Sequence, residues 1–136
     1  MGKNFNEFSV TFGLVGGFFC KFLGGWDMLL KGLVILVILD YMTGLLKSIC
    51  NKNLSSEIGY KGLVKKIFIF IVIATAYIIQ GIVGDVIPLR EITILFFISN
   101  EAISLLENAS EFIPIPDKLK DTLIQLRDDN DSKGEN

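Results

Sequence analysis

Asp40 is the residue around which any chemistry would have to be built. It is the one acid in Met28 to Leu46, MLLKGLVILVILDYMTGLL, nineteen residues that are nearly all apolar. A carboxylate there can line a pore or bond a neighbouring helix. Glu101 is a second acid in a largely apolar segment, so a carboxylate pair on two helices is conceivable. The partners that would turn such a pair into a catalyst are missing. The chain has no histidine, the commonest general base and metal ligand. Cys20 and Cys50 stand thirty residues apart without a CxxC or Cys/His spacing, so two free thiols are expected rather than a disulfide or zinc site. No serine or cysteine neighbours a plausible activator, and there is no P-loop, dinucleotide fingerprint or metal-ligand cluster. The expectation is a protein that is not an enzyme and takes no cofactor or metal.

The elements that must position Asp40 are membrane helices. The chain has 136 residues, 51% hydrophobic, with a formal charge of −2 and a mean hydropathy of +0.53. That is one domain by length, and too apolar for an ordinary soluble one. A nineteen-residue helix rises about 28 Å, close to the ~30 Å hydrocarbon thickness of a bilayer. A charge inside such a span costs on the order of 2.5–3.5 kcal/mol on insertion scales, so it faces protein, water or an interface. Three spans are expected, at about 28–47, 67–84 and 88–108. Ile67 to Gly84 carries no charge and is the clearest of them. In the third, Asn100, Glu101, Ser104, Glu107, Asn108 and Glu111 recur at helical spacing and draw a polar stripe. That stripe either lines water within an assembly or emerges at the cytoplasmic interface. Asp40 shares a face with Thr43, Gly44 and Lys47. Asp40, Thr43, Gln80, Asn100, Glu101 and Ser104 are the candidates for lining a pore or bonding between helices, and both roles stay open.

Residues 1–25 form an N-terminal amphipathic or short membrane helix in this reading. Phe5, Phe8, Phe12, Val15, Phe19 and Phe22 mark one face, and Ser9, Gly13, Gly16 and Cys20 the other. Gly13 and Gly17 make a GxxxG, and with Gly16 and Gly44 they are the candidate small surfaces for helix packing. Lys3 precedes an apolar run as in a signal peptide, but no small-x-small cleavage site follows. Gly24 and Gly25 break this helix, Trp26 suits a membrane interface, and Asp27 can cap the next helix.

Lysines set the orientation. Between the first two spans, residues 47–66 hold Lys47, Lys52, Lys61, Lys65 and Lys66 against Glu57 alone, which marks a cytoplasmic loop. Ser55 or Ser56 can cap the following helix. There is no interleaved aromatic platform for nucleic acid, so lipid headgroups and topology account for the lysines. Pro114 and Pro116 stop the third helix, and a short cytoplasmic amphipathic helix follows from Asp117 to Leu126. The tail from Arg127 reads as polar and disordered, and residues 113–136 as one cytoplasmic unit. The fold class is therefore an all-α integral membrane protein. Its three-span core occupies 26–112, in a multi-pass arrangement in a bacterial cytoplasmic membrane.

Several short runs, taken in order, resemble the toxin-secretion/phage-lysis holin family. They are Gly24-Gly25-Trp26-Asp27, Leu39-Asp40-Tyr41-Met42-Thr43-Gly44, Lys61-Gly62-Leu63-Val64-Lys65-Lys66, Ser99-Asn100-Glu101-Ala102-Ile103-Ser104 with Glu107-Asn108, and Ile113-Pro114-Ile115-Pro116 with Leu119-Lys120. The resemblance covers roughly residues 22–127 and leaves the first 21 unmatched. It implies a phage or prophage protein that forms homo-oligomers in the lipid bilayer. Their lesions would release an endolysin or a large toxin as cargo. The alternatives are a non-lytic holin antagonist, a transporter or secretion accessory subunit and, more weakly, a small ion channel.

Overall fold

The structure, a computed structural model, describes residues 2–134. It holds five helices and, among the described residues, no strand: α1 (Gly2–Phe22), α2 (Met28–Cys50), α3 (Ser56–Val83), α4 (Leu89–Ser110) and α5 (Asp117–Gly134). Each boundary has a local cause. Asp27 accepts a hydrogen bond from the Leu30 amide at 2.9 Å and so caps α2. Ser55 does the same for α3 through the Ile58 amide at 3.2 Å. At the end of α1, the Gly25 amide donates to the Cys20 carbonyl and the Gly24 amide to the Lys21 carbonyl. This is a Schellman closure, with Gly24 at the position that needs positive φ, here 86°. The end of α2 repeats it, with Asn53 donating to Ser48 and Lys52 to Ile49.

Two sequence expectations change here. The basic loop of 47–66 shrinks to residues 51–55, because the Schellman closure and the Ser55 cap turn the chain at once. Lys61, Lys65 and Lys66 therefore ride on the first turns of α3. The tail expected to be disordered continues α5 as helix to Gly134. Once a first turn exists, each added residue gains a hydrogen bond at little further cost. The part of that expectation on residues 135 and 136 lies outside the described residues.

α2, α3 and α4 pack together, with α4 against both others and against α5. Short turns join α2 to α3 and α3 to α4, so α2 and α4 run parallel and α3 opposite. Their apolar core is small: Leu33, Val37, Ile69, Ile73 and Ile94. Most large apolar side chains point outward instead, such as Ile35, Met42 and Leu46 on α2 and Phe68, Ile78 and Ile82 on α3.

α2 and α3 have the length and apolarity to cross a membrane, and only 22% and 11% of their most apolar stretches are buried. A core helix of a soluble protein would be mostly buried, so burial against protein does not explain their composition. Among the described residues α4 does not meet the same standard of apolarity. α1 stands apart as an arm, and its residues 2–15 are exposed throughout.

Candidate functional site

The interior of the three-helix body carries charge. Asp40 of α2 and Glu101 of α4 are 5% and 6% exposed, and the Lys66 ammonium of α3 is ion-paired to both. Asn108, two turns beyond Glu101, donates to Asp40 Oδ1 at 3.1 Å and to Thr43 Oγ1 at 3.2 Å. The Thr43 hydroxyl in turn donates to the backbone carbonyls of Leu39 or Asp40. Each of the three helices thus gives at least one charged group to one network. Two carboxylates share one ammonium, which leaves the cluster one formal negative charge in excess. Buried charges of this kind are tolerable only when paired and hydrogen-bonded.

Beside the network lies a cavity of about 280 Å³. Asp40, Lys65, Lys66, Ser104 and Asn108 give it a polar wall, and Gly44 and Gly62 leave room for it. The Tyr41 hydroxyl closes the adjacent α2–α3 contact by donating to the Gly59 carbonyl at 3.1 Å. A Cβ on Gly62 would come within 3.3 Å of the Tyr41 ring, so this approach depends on the missing side chain.

A second polar joint sits at the opposite end. Arg90, 3% exposed, donates to the Leu23 carbonyl and to the Gly25 carbonyl at 3.0 Å. It also pairs with Asp27 at 2.7 Å. One guanidinium therefore satisfies two carbonyls of the turn that follows α1 and the capping acid of α2 while standing in the first turn of α4. The hydrogen bond from Arg90 holds the Asp27 carboxyl below its ordinary value. Gln80 of α3 completes the joint. It accepts from the Arg90 amide at 2.9 Å, capping α4 where Pro88 offers no side-chain bond, and donates to Asp85 at 3.1 Å.

A family model described as "Bacteriophage holin family" matches residues 17–128, which takes in both polar joints. The chain belongs to the bacteriophage holin family. This is a family of non-enzymatic membrane proteins, in keeping with the two exposed apolar helices. The chain is 37% identical over 121 residues to an uncharacterized 14.9 kDa protein in the nagH 3′ region of Clostridium perfringens, covering 86% of this chain and 92% of that one. It is 38% identical over 121 residues to an uncharacterized Listeria monocytogenes protein, covering 87% and 86%. A probable holin of Bacillus phage phi105 is 35% identical over 104 residues, covering 76% of this chain and 77% of its own. No solved structure matches.

Of the polar positions singled out in the sequence, this holin-family fold brings Asp40, Thr43 and Glu101 together, with Ser104 on the cavity wall. Gly44 packs at the same contact, where a Cβ would lie 3.7 Å from Asn108. Gln80 is elsewhere, in the Arg90 joint. Asn100 makes no side-chain hydrogen bond among the described residues. Gly13, Gly16 and Gly17 lie on the arm, where an added Cβ would meet nothing within 4 Å. Lys47 pairs with Glu111 at 2.8 Å and Lys61 with Glu57 at 2.7 Å, while Lys65 lines the cavity and Lys52 turns the chain. Lys66, read only as a topology signal, is the hub of the interior network. Its spacing gave that away in part, since it opens the uncharged run that begins at Ile67. Asn108 stood in the stripe, and Arg90 carried a faint signal too. A cation in the first turn of a helix opposes the macrodipole and needs a compensating reason.

Proposed function

We propose that this chain is a holin. It accumulates in the cytoplasmic membrane as a closed three-span bundle, then oligomerises into a lesion that passes an endolysin or a large toxin. The observation that carries the reading is the enclosure of Asp40, Lys66 and Glu101 between α2, α3 and α4, under an apolar exterior. An isolated copy then presents hydrocarbon-compatible side chains to lipid while storing the polar surface that a water-filled lesion requires. Pairing Glu101 internally is also what lets α4 serve as a third span. The end bearing Lys47, Lys52 and Lys61 is cytoplasmic in this reading, by its lysine excess. On assembly, Asp40, Lys66 and the Asn100, Glu101 and Ser104 positions of α4 turn from one another to water.

The same closure favours a second reading, a non-lytic antagonist or accessory subunit, since a bundle whose charges are satisfied needs no lumen. Inducible expression beside a cytoplasmic cell-wall hydrolase without a signal peptide separates them. Abrupt depolarisation with external hydrolase activity supports the holin. Depolarisation without release points to a small channel, and neither effect points to the antagonist or subunit. Asp40→Leu is expected to insert but to delay or abolish lysis, and unchanged lysis timing would remove Asp40 from the lesion.

A further inference from the structure

The arm crosses α3 over an apolar cleft that the charge network does not use. Phe18 and Phe22 of α1 face Ile67, Phe70, Ile71 and Ala74 of α3 across about 550 Å³. A second hollow of about 450 Å³ shares Phe18 and Phe22 and continues to Lys21, Tyr77 and Ile78. From Ile67 to Ile78 the cleft follows about 16 Å of α3, roughly half the ~30 Å hydrocarbon thickness and about the length of an extended acyl chain. Its deep part offers only hydrocarbon. Its rim offers a cation and a phenol, and among the described residues neither the Lys21 ammonium nor the Tyr77 hydroxyl has a partner.

We propose that this cleft is a binding site for one membrane phospholipid, its acyl chain lying between α1 and α3 and its phosphodiester held by Lys21 and Tyr77. The charge pattern selects this occupant. A phosphodiester oxygen accepts from both rim groups, whereas an apolar helix of a second copy would leave both unpaired against hydrocarbon. Ile78 lies about 9 Å short of Gly84 along the helix axis, a depth from which a lysine stem reaches the headgroup layer. Trp26, half-exposed a few residues beyond Lys21, belongs at that same layer. The lipid would act as packing between arm and body, filling a gap that the chain's own side chains leave open.

The test uses the full chain in detergent, titrated with phosphatidylglycerol and with phosphatidylcholine of the same acyl chains, and read by native mass spectrometry. The expected result is one retained phospholipid per chain. Lys21→Glu should lower retention of both lipids at least fivefold, since both carry the phosphodiester. Ala74→Phe, which fills the deep part, should do the same. Ile82→Phe, on an exposed position outside the cleft, should leave retention unchanged. Circular dichroism checks that each variant keeps its helices, and if Ala74→Phe fails to fold, the exposed Lys21→Glu decides alone. Retention indifferent to Lys21→Glu overturns the proposal. So does equal loss in Ile82→Phe, which would mean a nonspecific lipid coat. A dimer mass that vanishes with Ala74→Phe overturns it in favour of a second copy.

Discussion

Lys66 and Asp40 stand 26 residues apart in the chain and meet as an ion pair inside the helix bundle. The lysine side chain is 16% exposed and the aspartate 7%. One arrangement solves two problems. Asp40 escapes lipid without reaching a lumen, and the apolar run of α3 from Ile67 begins at a lysine whose ammonium is turned inward.

Removing the hub should cost more than removing either spoke. Lys66→Met leaves Asp40 and Glu101 facing each other unpaired, and breaking a buried pair this way costs about 3–5 kcal/mol. Glu101→Gln, which removes the excess charge and keeps a hydrogen-bonding group, should cost under about 1 kcal/mol by the usual worth of one bond. Unfolding of detergent-solubilised protein followed by circular dichroism measures both. Equal losses would mean that Lys66 is not the shared partner.

The joint at Arg90 predicts an acid-sensitive contribution. Asp27 has a folded value lowered from its ordinary 3.8, first by the hydrogen bond from Arg90. The stability it contributes is therefore complete above about pH 3.8 and fades as pH falls through the lowered folded value. Asp27→Asn keeps the cap and removes the charge. The stability difference between wild type and Asp27→Asn should be flat above pH 3.8 and shrink below it. Glu111, also lowered, by the hydrogen bond from Lys47, is the same in both proteins and cancels. A difference that grows on acidification would contradict the pairing.

Gly24 and Gly25 both have positive φ, 86° and 106°, but they should not tolerate alanine equally. At Gly25 an added Cβ meets nothing within 4 Å, so Gly25→Ala carries only the backbone penalty of about 1–2 kcal/mol. At Gly24 the Cβ would lie 2.6 Å from Arg90 Cδ and 2.9 Å from a Tyr77 ring carbon. Gly24→Ala should therefore be the more damaging in thermal unfolding, and a second change, Tyr77→Ala, should recover part of the excess.

Lys52 holds φ at 55° without being glycine. Its side chain is exposed, so Lys52→Gly should relieve a left-handed backbone cost of about 1 kcal/mol. A raised unfolding temperature is the expected outcome. A lowered one would mean that the lysine side chain contributes more than its backbone costs.

How much of this was legible follows from how local each cause is. Asp27 and Ser55 cap their helices through amides three residues on, and such bonds are written in the sequence. The breadth of α2 and the chargeless part of α3 were equally readable from length and hydropathy. The meeting of Asp40, Lys66 and Glu101 was not, because helix rotation decides which groups face inward, and Lys66 sat next to lysines with a simpler explanation. Arg90 was hidden for a related reason. Two of its partners are the backbone carbonyls of Leu23 and Gly25, which have no signature in residue type. The helical tail to Gly134 was missed because composition suggests solvation there and says nothing about propagation from Asp117.

The exposed arm has one more consequence. The family match begins at residue 17, and the first α1 side chain to line the cleft with α3 is Phe18. Everything before that point hangs on the body without being held by it. The leading four turns of α1 are thus a handle, and the body gives them no instructions. A dye or an epitope could be attached there with the fold none the wiser, and Gly24 would still aim it in the same direction.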